Sequence, residues 1–445
     1  MKAKYIILII WGIFTLPSCD SDYLDVKPQK SLMVPETLSD LEALLNNSRN
    51  IMNVAGYLSL ATDGDFRIND TYLSYINEPI RINYLWSDET TGWIGDWDYA
   101  YTQIFYANVV LKGLEKHDSG NSLTRELKGR ALFYRAWALH LMVQQFAPHY
   151  SAKTALTDMG VPFLLSPDVN QPITRLSVEA NYNQIFKDLN EAVSLLPELA
   201  SLSTQPSKAA TYALLARMYL LTGDYVNALA SARQALLINN KLIDYNTLNP
   251  DLSNTFPLPM VNPNPEILFY TIGNTSFTGN NNTFVDSSLY DLYENGDLRK
   301  SLYFRPTRNY KGSYSGNVLP FVGLATDEVF LIKAECETRT GNISEARQTL
   351  NTLRANRWNS TAFISIKEEN PQLLLRAILL ERRKELIGRG TTWSDLRRLN
   401  SEMGYERTLK RESRGNTYYL EPLSNRYTMK IPMDEVNLSG IEQNK

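Results

Sequence analysis

The stretch AATYALLARMYLLTGDYVNALASARQALLINNK, Ala209 to Lys241, decides the fold. Tyr212, Leu215, Ala216 and Tyr219 recur at helical spacing, Gly223-Asp224-Tyr225 interrupts them, and Ala228, Ala232 and Ala235 resume the period. One helical face on either side of a glycine predicts two antiparallel helices joined by a tight turn. Ala216 and Ala228 are small enough for the two axes to approach closely, Leu215 and Tyr219 fill the groove between them, and Gly223 supplies the left-handed C-cap.

Outward from this hairpin the pattern returns. Its alternation of small and large residues matches the tetratricopeptide arrangement, whose period is about 34 residues. A second copy starts near Asp327, with Phe330, Ala334, Gly341-Asn342, Ala346, Leu350 and Leu353 in the equivalent places. Arg130 to Phe146 reads as one helix, and its partner after a long excursion is Val178 to Leu196, where Tyr182, Ile185, Leu189 and Ala192 keep the period. Leu373 to Ile387 and Trp393 to Leu399 form a last pair around Gly388-Arg389-Gly390. Since a repeat buries its face only against a neighbour, the expected fold is mostly α, a tetratricopeptide-like scaffold of about four helical hairpins near residues 130–197, 207–241, 325–358 and 373–400. Residues 53–97, 242–322 and 400–445 show little periodicity, and the middle one centres on Asn280-Asn281-Asn282. Loops that long are uncommon in compact domains and often functional. They are expected to form a second, irregular α+β lobe laid against the scaffold.

Composition removes several classes of function. The 445 residues are 43% hydrophobic and 21% charged, which is globular composition. A formal charge of −3 leaves no global basic field for nucleic acid. Two cysteines, Cys19 and Cys336, and three histidines supply neither a zinc ligand set nor a disulfide framework, and no metal or other cofactor is expected. Asp63-Gly64-Asp65 with Asp70 hints at a calcium loop, but Arg67 interrupts the ligand pattern and a solvated turn is the plainer reading. No GxSxG elbow, phosphate loop or HExxH motif occurs, and a carboxylate pair for glycoside hydrolysis is recognised only by its separation in space. Between Arg376 and Arg414 lie eleven basic and six acidic residues, of which Glu381, Arg382 and Glu385 are expected to pair with neighbours.

The N-terminus reads as targeting. Lys2 and Lys4 precede an apolar run from Ile6 to Leu16, too short for the roughly 20 residues that span a bilayer. The run ends in Leu16-Pro17-Ser18-Cys19, which resembles a bacterial lipobox, so residues 1–18 are expected to be a lipoprotein signal peptide and Cys19 the acylated first residue of a single unit, 19–445. An ordinary secretory signal would instead leave a soluble exported chain with a spare thiol.

Further motifs carry a family resemblance. They are Tyr23-Leu24-Asp25 shortly after Cys19; Trp97, Tyr101, Ile104, Ala107 and Asn108; Arg130-Ala131 with Arg135-Ala136; and Gly160-Val161-Pro162. Later come Arg175 with Ser177 and Tyr182, Asp188-Leu189, Leu196-Pro197, Glu381 to Leu386, Asp395 to Arg398, Ile431-Pro432 with Glu435, and Gln443-Asn444. In this order and spacing they resemble the SusD/RagB family of surface nutrient-binding lipoproteins. Thr392 before Trp393 and Lys430 before Ile431 depart from the pattern. The resemblance implies a lipid-anchored protein on the outer face of the outer membrane, partnered with a SusC-type TonB-dependent transporter. It implies capture of oligosaccharides, or less often peptides, without catalysis.

Sugar capture calls for flat aromatic faces beside hydrogen-bonding side chains. Trp86, Trp93 and Trp97 fall close together; Trp97 suits the core, whereas Trp93, between Gly92 and Gly95, and Trp86 are candidate platforms. Tyr72 and Tyr75 share their excursion, and Tyr303, Tyr310 and Tyr314 lie in the middle one, where polar spacers would turn them toward solvent. Trp137, Trp358 and Trp393 belong to helix packing, and Cys336 reads as a small buried hydrophobe. If Cys19 carries the anchor, Cys19→Ala moves the protein from the membrane fraction to the soluble one; unchanged sedimentation with membranes would remove the lipoprotein reading.

Overall fold

The computed structural model describes residues 35–90, 95–261, 263–275 and 277–445. Its longer helices are α1 (Leu38–Leu45), α2 (Gly95–Leu114), α3 (Ser122–Phe146), α4 (Val178–Leu195), α5 (Lys208–Thr222), α6 (Tyr225–Ile238), α7 (Thr326–Arg339), α8 (Ile343–Ala355), α9 (Pro371–Glu385) and α10 (Thr392–Leu399). Their ends follow local chemistry. The Ser207 hydroxyl accepts from the Ala210 amide and caps α5, Gly223 ends it at φ 77°, and the Asp224 carboxylate accepts from the Asn227 amide to start α6. Asn121, Ser177 and Asn370 cap α3, α4 and α9 in the same way.

Each helix packs on the next, α2 on α3, α3 on α4, α4 on α5, α5 on α6, α6 on α7 and α7 on α8. Ala216 and Ala228, fully buried, lie where α5 and α6 pack together, so the deciding hairpin forms as its sequence suggests. Two pairings differ from expectation. Helix α3 packs on α2 as well as on α4, so the scaffold begins earlier than residue 130. Helices α9 and α10 do not close as a hairpin; α9 lies along α7, while α10 packs on α5 and on the short helix Leu58–Thr62. The cause is the turn between them, where Gly388 and Gly390 both take left-handed backbone, φ 69° and 73°, and redirect the chain. An ion pair, Arg382 to Asp395 at 2.7 Å, links the two segments.

The lobe has a core of its own. Phe66, Tyr84, Tyr245, Phe256, Phe304 and Phe321 are among its members, drawn from the first and middle irregular segments. Short strand pairs stitch those segments together: Val54–Ala55 parallel to Ile272–Gly273, Phe66–Ile68 antiparallel to Thr283–Val285, and Ile267–Phe269 against Leu324–Ala325. The third irregular segment behaves differently. Leu409, Leu420, Met429, Ile431 and Ile441 join the helical core instead, and the Met429 amide donates to the Gln145 carbonyl at the end of α3. Asp96, in the first turn of α2, ties lobe to scaffold by accepting from the Tyr57 and Leu58 amides at 3.1 Å. Gly56 is required there, because a Cβ would fall 1.9 Å from the Asp96 carboxyl carbon.

A network of buried ions crosses the same boundary. Arg299, fully buried, pairs with Asp297 at 2.8 Å, Glu381 at 2.5 Å and Glu385 at 2.7 Å. Arg357, also fully buried, pairs with the other oxygen of Glu385 at 2.6 Å and with Glu266 at 2.9 Å. The Tyr314 hydroxyl donates to Glu266 at 2.7 Å. Deeper in the scaffold Arg217 holds Glu328 at 2.6 Å and Arg398 holds Glu335 at 2.6 Å. The expectation that Glu381, Arg382 and Glu385 pair with neighbours is met.

Burial alone would raise the carboxyl pKa values. The arginines beside Glu328 and Glu335 overcome it and hold both at about 2. Glu266 goes the other way, to about 7, because burial outweighs Arg357. A folded pKa below the unfolded one of about 4.3 means that stability is fully present above that pH and is lost as pH falls toward 2. Glu266 has the opposite sign and acts between about 7 and 4.3, while buried His140, pushed down to about 3, adds a loss as pH falls below about 6.5. Urea unfolding at pH 5 and pH 3 should show a lower midpoint at pH 3, and Glu335→Gln should shrink the difference; equal midpoints would contradict these pairings.

Candidate functional site

The helix Glu78–Tyr84 buries Ile80, Ile82 and Tyr84 and leaves Arg81 half-exposed. Trp86 follows in left-handed backbone, φ 53°, which is rare for a bulky residue. Its indole Nε1 donates to the Thr62 carbonyl at 3.0 Å, and its ring is only 3% exposed. The strands Leu409–Ser413 and Asn416–Leu420 pair antiparallel, with the Arg411 guanidinium 3.7 Å from the Tyr84 ring centroid and 4.5 Å from that of Trp86. Arg411 also donates to the carbonyls of Tyr84 and Ala61. At the turn, Asp70 accepts from the Ser413 hydroxyl at 2.6 Å and the Arg414 amide at 3.0 Å, which fastens the helix Asp70–Tyr75 to the hairpin.

These anchors leave an open cleft of about 900 Å³ lined by Arg81, Trp86, Asp88, Tyr418, Tyr419 and Arg426, with others. Tyr419 is 50% exposed. Asp88 and Arg426 face each other in a two-point pair at 2.8 and 2.6 Å, and the Arg426 hydrogen bond holds the Asp88 carboxyl below its ordinary range. A free phenol ring beside an exposed guanidinium and carboxylate can stack on an apolar face and hydrogen-bond its polar rim.

The candidate residues fall in different places. Trp93 and Cys19 lie outside the described residues. Trp86 reaches the cleft as a buried part of its floor. Tyr75 is 81% exposed, whereas Tyr72 is half-buried against the lobe core. Tyr303, Tyr310 and Tyr314 do not face solvent, contrary to expectation; each is 1% exposed within that core. Thr307 and Arg308 between them are exposed, but Asn309, Lys311 and Ser315 are buried with them and bonded internally. Lys311 donates to the carbonyls of Pro250 and Ser301, Asn309 to those of Asn281 and Thr283, and Ser315 to that of Leu319. The phenol groups find partners in Tyr245, Glu266 and the Ile387 carbonyl. Trp97, Trp137, Trp358, Trp393 and Cys336 are buried as read from sequence.

Asp63 and Asp65 are buried rather than solvated. Asp65 pairs with Arg383 at 2.9 Å and accepts from Thr392, while burial pushes Asp63 well up. Among the described residues no group of three His, Cys, Asp or Glu is placed to hold a metal ion, and no helix is long and apolar enough to cross a membrane. Tyr418 and Tyr419 escaped the sequence reading. Their signal was the turn Arg414-Gly415 between two five-residue runs, with Gly415 at φ 76°.

Residues 22–220 match a family described as starch-binding associating with outer membrane, and residues 309–440 match the SusD family. A SusD-like protein P2 from Formosa agariphila is 26% identical over 89% of this chain and 90% of its own. A putative sugar binding protein from Bacteroides vulgatus has the same fold, with TM-score 0.75 at 22% identity over 93% of this chain and 99% of that one. A SusD superfamily protein from Bacteroides thetaiotaomicron gives TM-score 0.72 at 21% identity over 92% and 100%.

Two substitutions separate floor from rim. Trp86→Ala removes a buried ring and orphans the Thr62 carbonyl, and should destabilise by about 3 to 5 kcal/mol. Tyr419→Ala, on an exposed ring, should stay within about 0.5 kcal/mol of the parent. Equilibrium unfolding in urea reads both; a neutral Trp86→Ala would mean that the ring is not part of the packed floor.

Proposed function

Because the chain belongs to the SusD family, we propose that it is a cell-surface binding protein, anchored in the outer membrane through Cys19, that captures an oligosaccharide for a SusC-type TonB-dependent transporter. It works by binding, without turnover and without a cofactor. The observation that carries this reading is the cleft of about 900 Å³ with the half-exposed Tyr419 ring beside the Asp88–Arg426 pair. Its size lies within the range of small-ligand sites, about 300 to 1,000 Å³. Tyr419 supplies the stacking face, Arg81, Asp88 and Arg426 address hydroxyl groups, and Trp86 keeps the floor rigid. Trp93, which follows this segment in the chain, and the exposed Tyr75 are the further aromatic candidates; Tyr72, Tyr303, Tyr310 and Tyr314 pack in the core of the lobe.

The resemblance to a putative sugar binding protein and to a starch-binding family supports carbohydrate over peptide as the ligand class. Calorimetric titration with oligosaccharide and peptide panels tests it. Saturable binding to a glycan is expected, weakened about five- to a hundredfold by Tyr419→Ala, the loss typical of one stacking ring. Binding of peptides alone would replace the oligosaccharide, and release of shortened sugars by the purified protein would overturn the non-catalytic reading.

A further inference from the structure

A cavity of about 40 Å³ lies where α3, α5 and the segment 389–395 meet, lined by His140, Gln145, Arg217, Arg382, Arg389 and Trp393, with others. It is separate from the cleft. Its lining is rich in hydrogen-bond donors that the protein itself does not satisfy. Arg382 Nη1, Arg389 Nε and Nη2, and Trp393 Nε1 are buried and have no acceptor among the protein's atoms. The three side chains are 3%, 3% and 0% exposed, so bulk water does not reach them freely.

The neighbouring carboxylates are already engaged. Asp327 accepts from Arg389 at 3.0 Å, Asp395 from Arg382 at 2.7 Å and Arg398 at 2.8 Å, and Glu328 from both ends of Arg217 at 2.9 and 2.6 Å. Among the lining's fully buried side-chain atoms only two others lack a partner, Gln145 Oε1 and the Thr391 hydroxyl, and the latter can also donate. Four donor nitrogens, with six N–H groups between them, therefore outnumber the side-chain acceptors left to them. Each buried donor left unmade costs about 1 to 3 kcal/mol, and water relieves the shortage poorly because every water brings two donors of its own. A monatomic anion accepts from all sides and brings none. The volume of about 40 Å³ is enough for a chloride ion, since a cavity needs only about 10 to 15 Å³ of such space to hold one water. His140 on the same wall stays neutral: burial, then Arg217, push it down to about 3.

We propose that this cavity is a structural anion site, with chloride as its ligand, held by Arg382, Arg389 and Trp393 at the junction of lobe and scaffold. Chloride joins side chains from α9, from the turn after it and from α10, the three pieces that the paired glycines at 388 and 390 set at an angle.

Thermal unfolding of the full mature chain, with chloride raised from about 10 to 300 mM against gluconate at constant ionic strength, reads the site through linkage. The midpoint should rise by a few degrees. Trp393→Phe keeps the ring and removes one donor, and should shrink that rise; Trp137→Phe, whose indole N–H is equally unpartnered but does not line the cavity, should keep it. Crystals soaked in bromide should show an anomalous peak between Arg382, Arg389 and Trp393. A midpoint indifferent to chloride, a rise unchanged by Trp393→Phe, or bromide-soaked crystals with water density alone in the cavity would overturn the proposal.

Discussion

The architecture depends on one shared carboxylate. Glu385 gives one oxygen to Arg299 and the other to Arg357, and both arginines are fully buried. Removing either partner from such a set leaves an uncompensated charge in a low-dielectric interior, where the penalty is several kcal/mol. The arrangement therefore persists only if α9, the segment around Asp297 and the end of α8 arrive together. Arg299 reaches across 86 residues and Arg357 reaches Glu266 across 91. A helical scaffold and an aromatic lobe, each with its own core, are locked by this ionic seam into a single cooperative body.

The helical half was readable because its signal is local. Every determinant of the α5–α6 hairpin, from the capping Ser207 to Gly223 and Ala228, lies within one repeat length. The α9–α10 pair misled because its sequence has the right period while its turn contains two left-handed glycines instead of one. A sequence shows that such a turn exists and does not show where it points. The charged run in α9 was legible as paired, but its partners Asp297, Arg299 and Arg357 come from distant segments that no spacing connects to it.

The cleft was legible only in part. Trp86 was marked by its place beside polar residues, yet its indole bond to Thr62 and the Arg411 stack make it floor. The hairpin that carries Tyr419 hid because its buried face is mostly polar: Leu409, Arg411 and Ser413 point inward while Lys410 and Glu412 point out. Binary patterning sees hydrophobic alternation and is blind to a strand whose inward residue is an arginine. For the same reason Tyr303, Tyr310 and Tyr314 looked exposed. A lysine and an asparagine spend their donors on backbone carbonyls inside the lobe, so polarity along the chain ceased to report on solvent.

The strand pairings of the lobe also set an order of assembly. Val54–Ala55 waits for Ile272–Gly273, Phe66–Ile68 waits for Thr283–Val285, and Ala61 and Tyr84 wait for Arg411. Helical hairpins, by contrast, close over short loops, and local contacts form fastest. As the chain emerges from its N-terminus, α2 to α6 can condense while Val54–Ala55 and Phe66–Ile68 still lack their strand partners. A chain interrupted after α8 and before residue 411 therefore has its helical hairpins and lacks Arg411 and Tyr419, so its cleft stays unfinished.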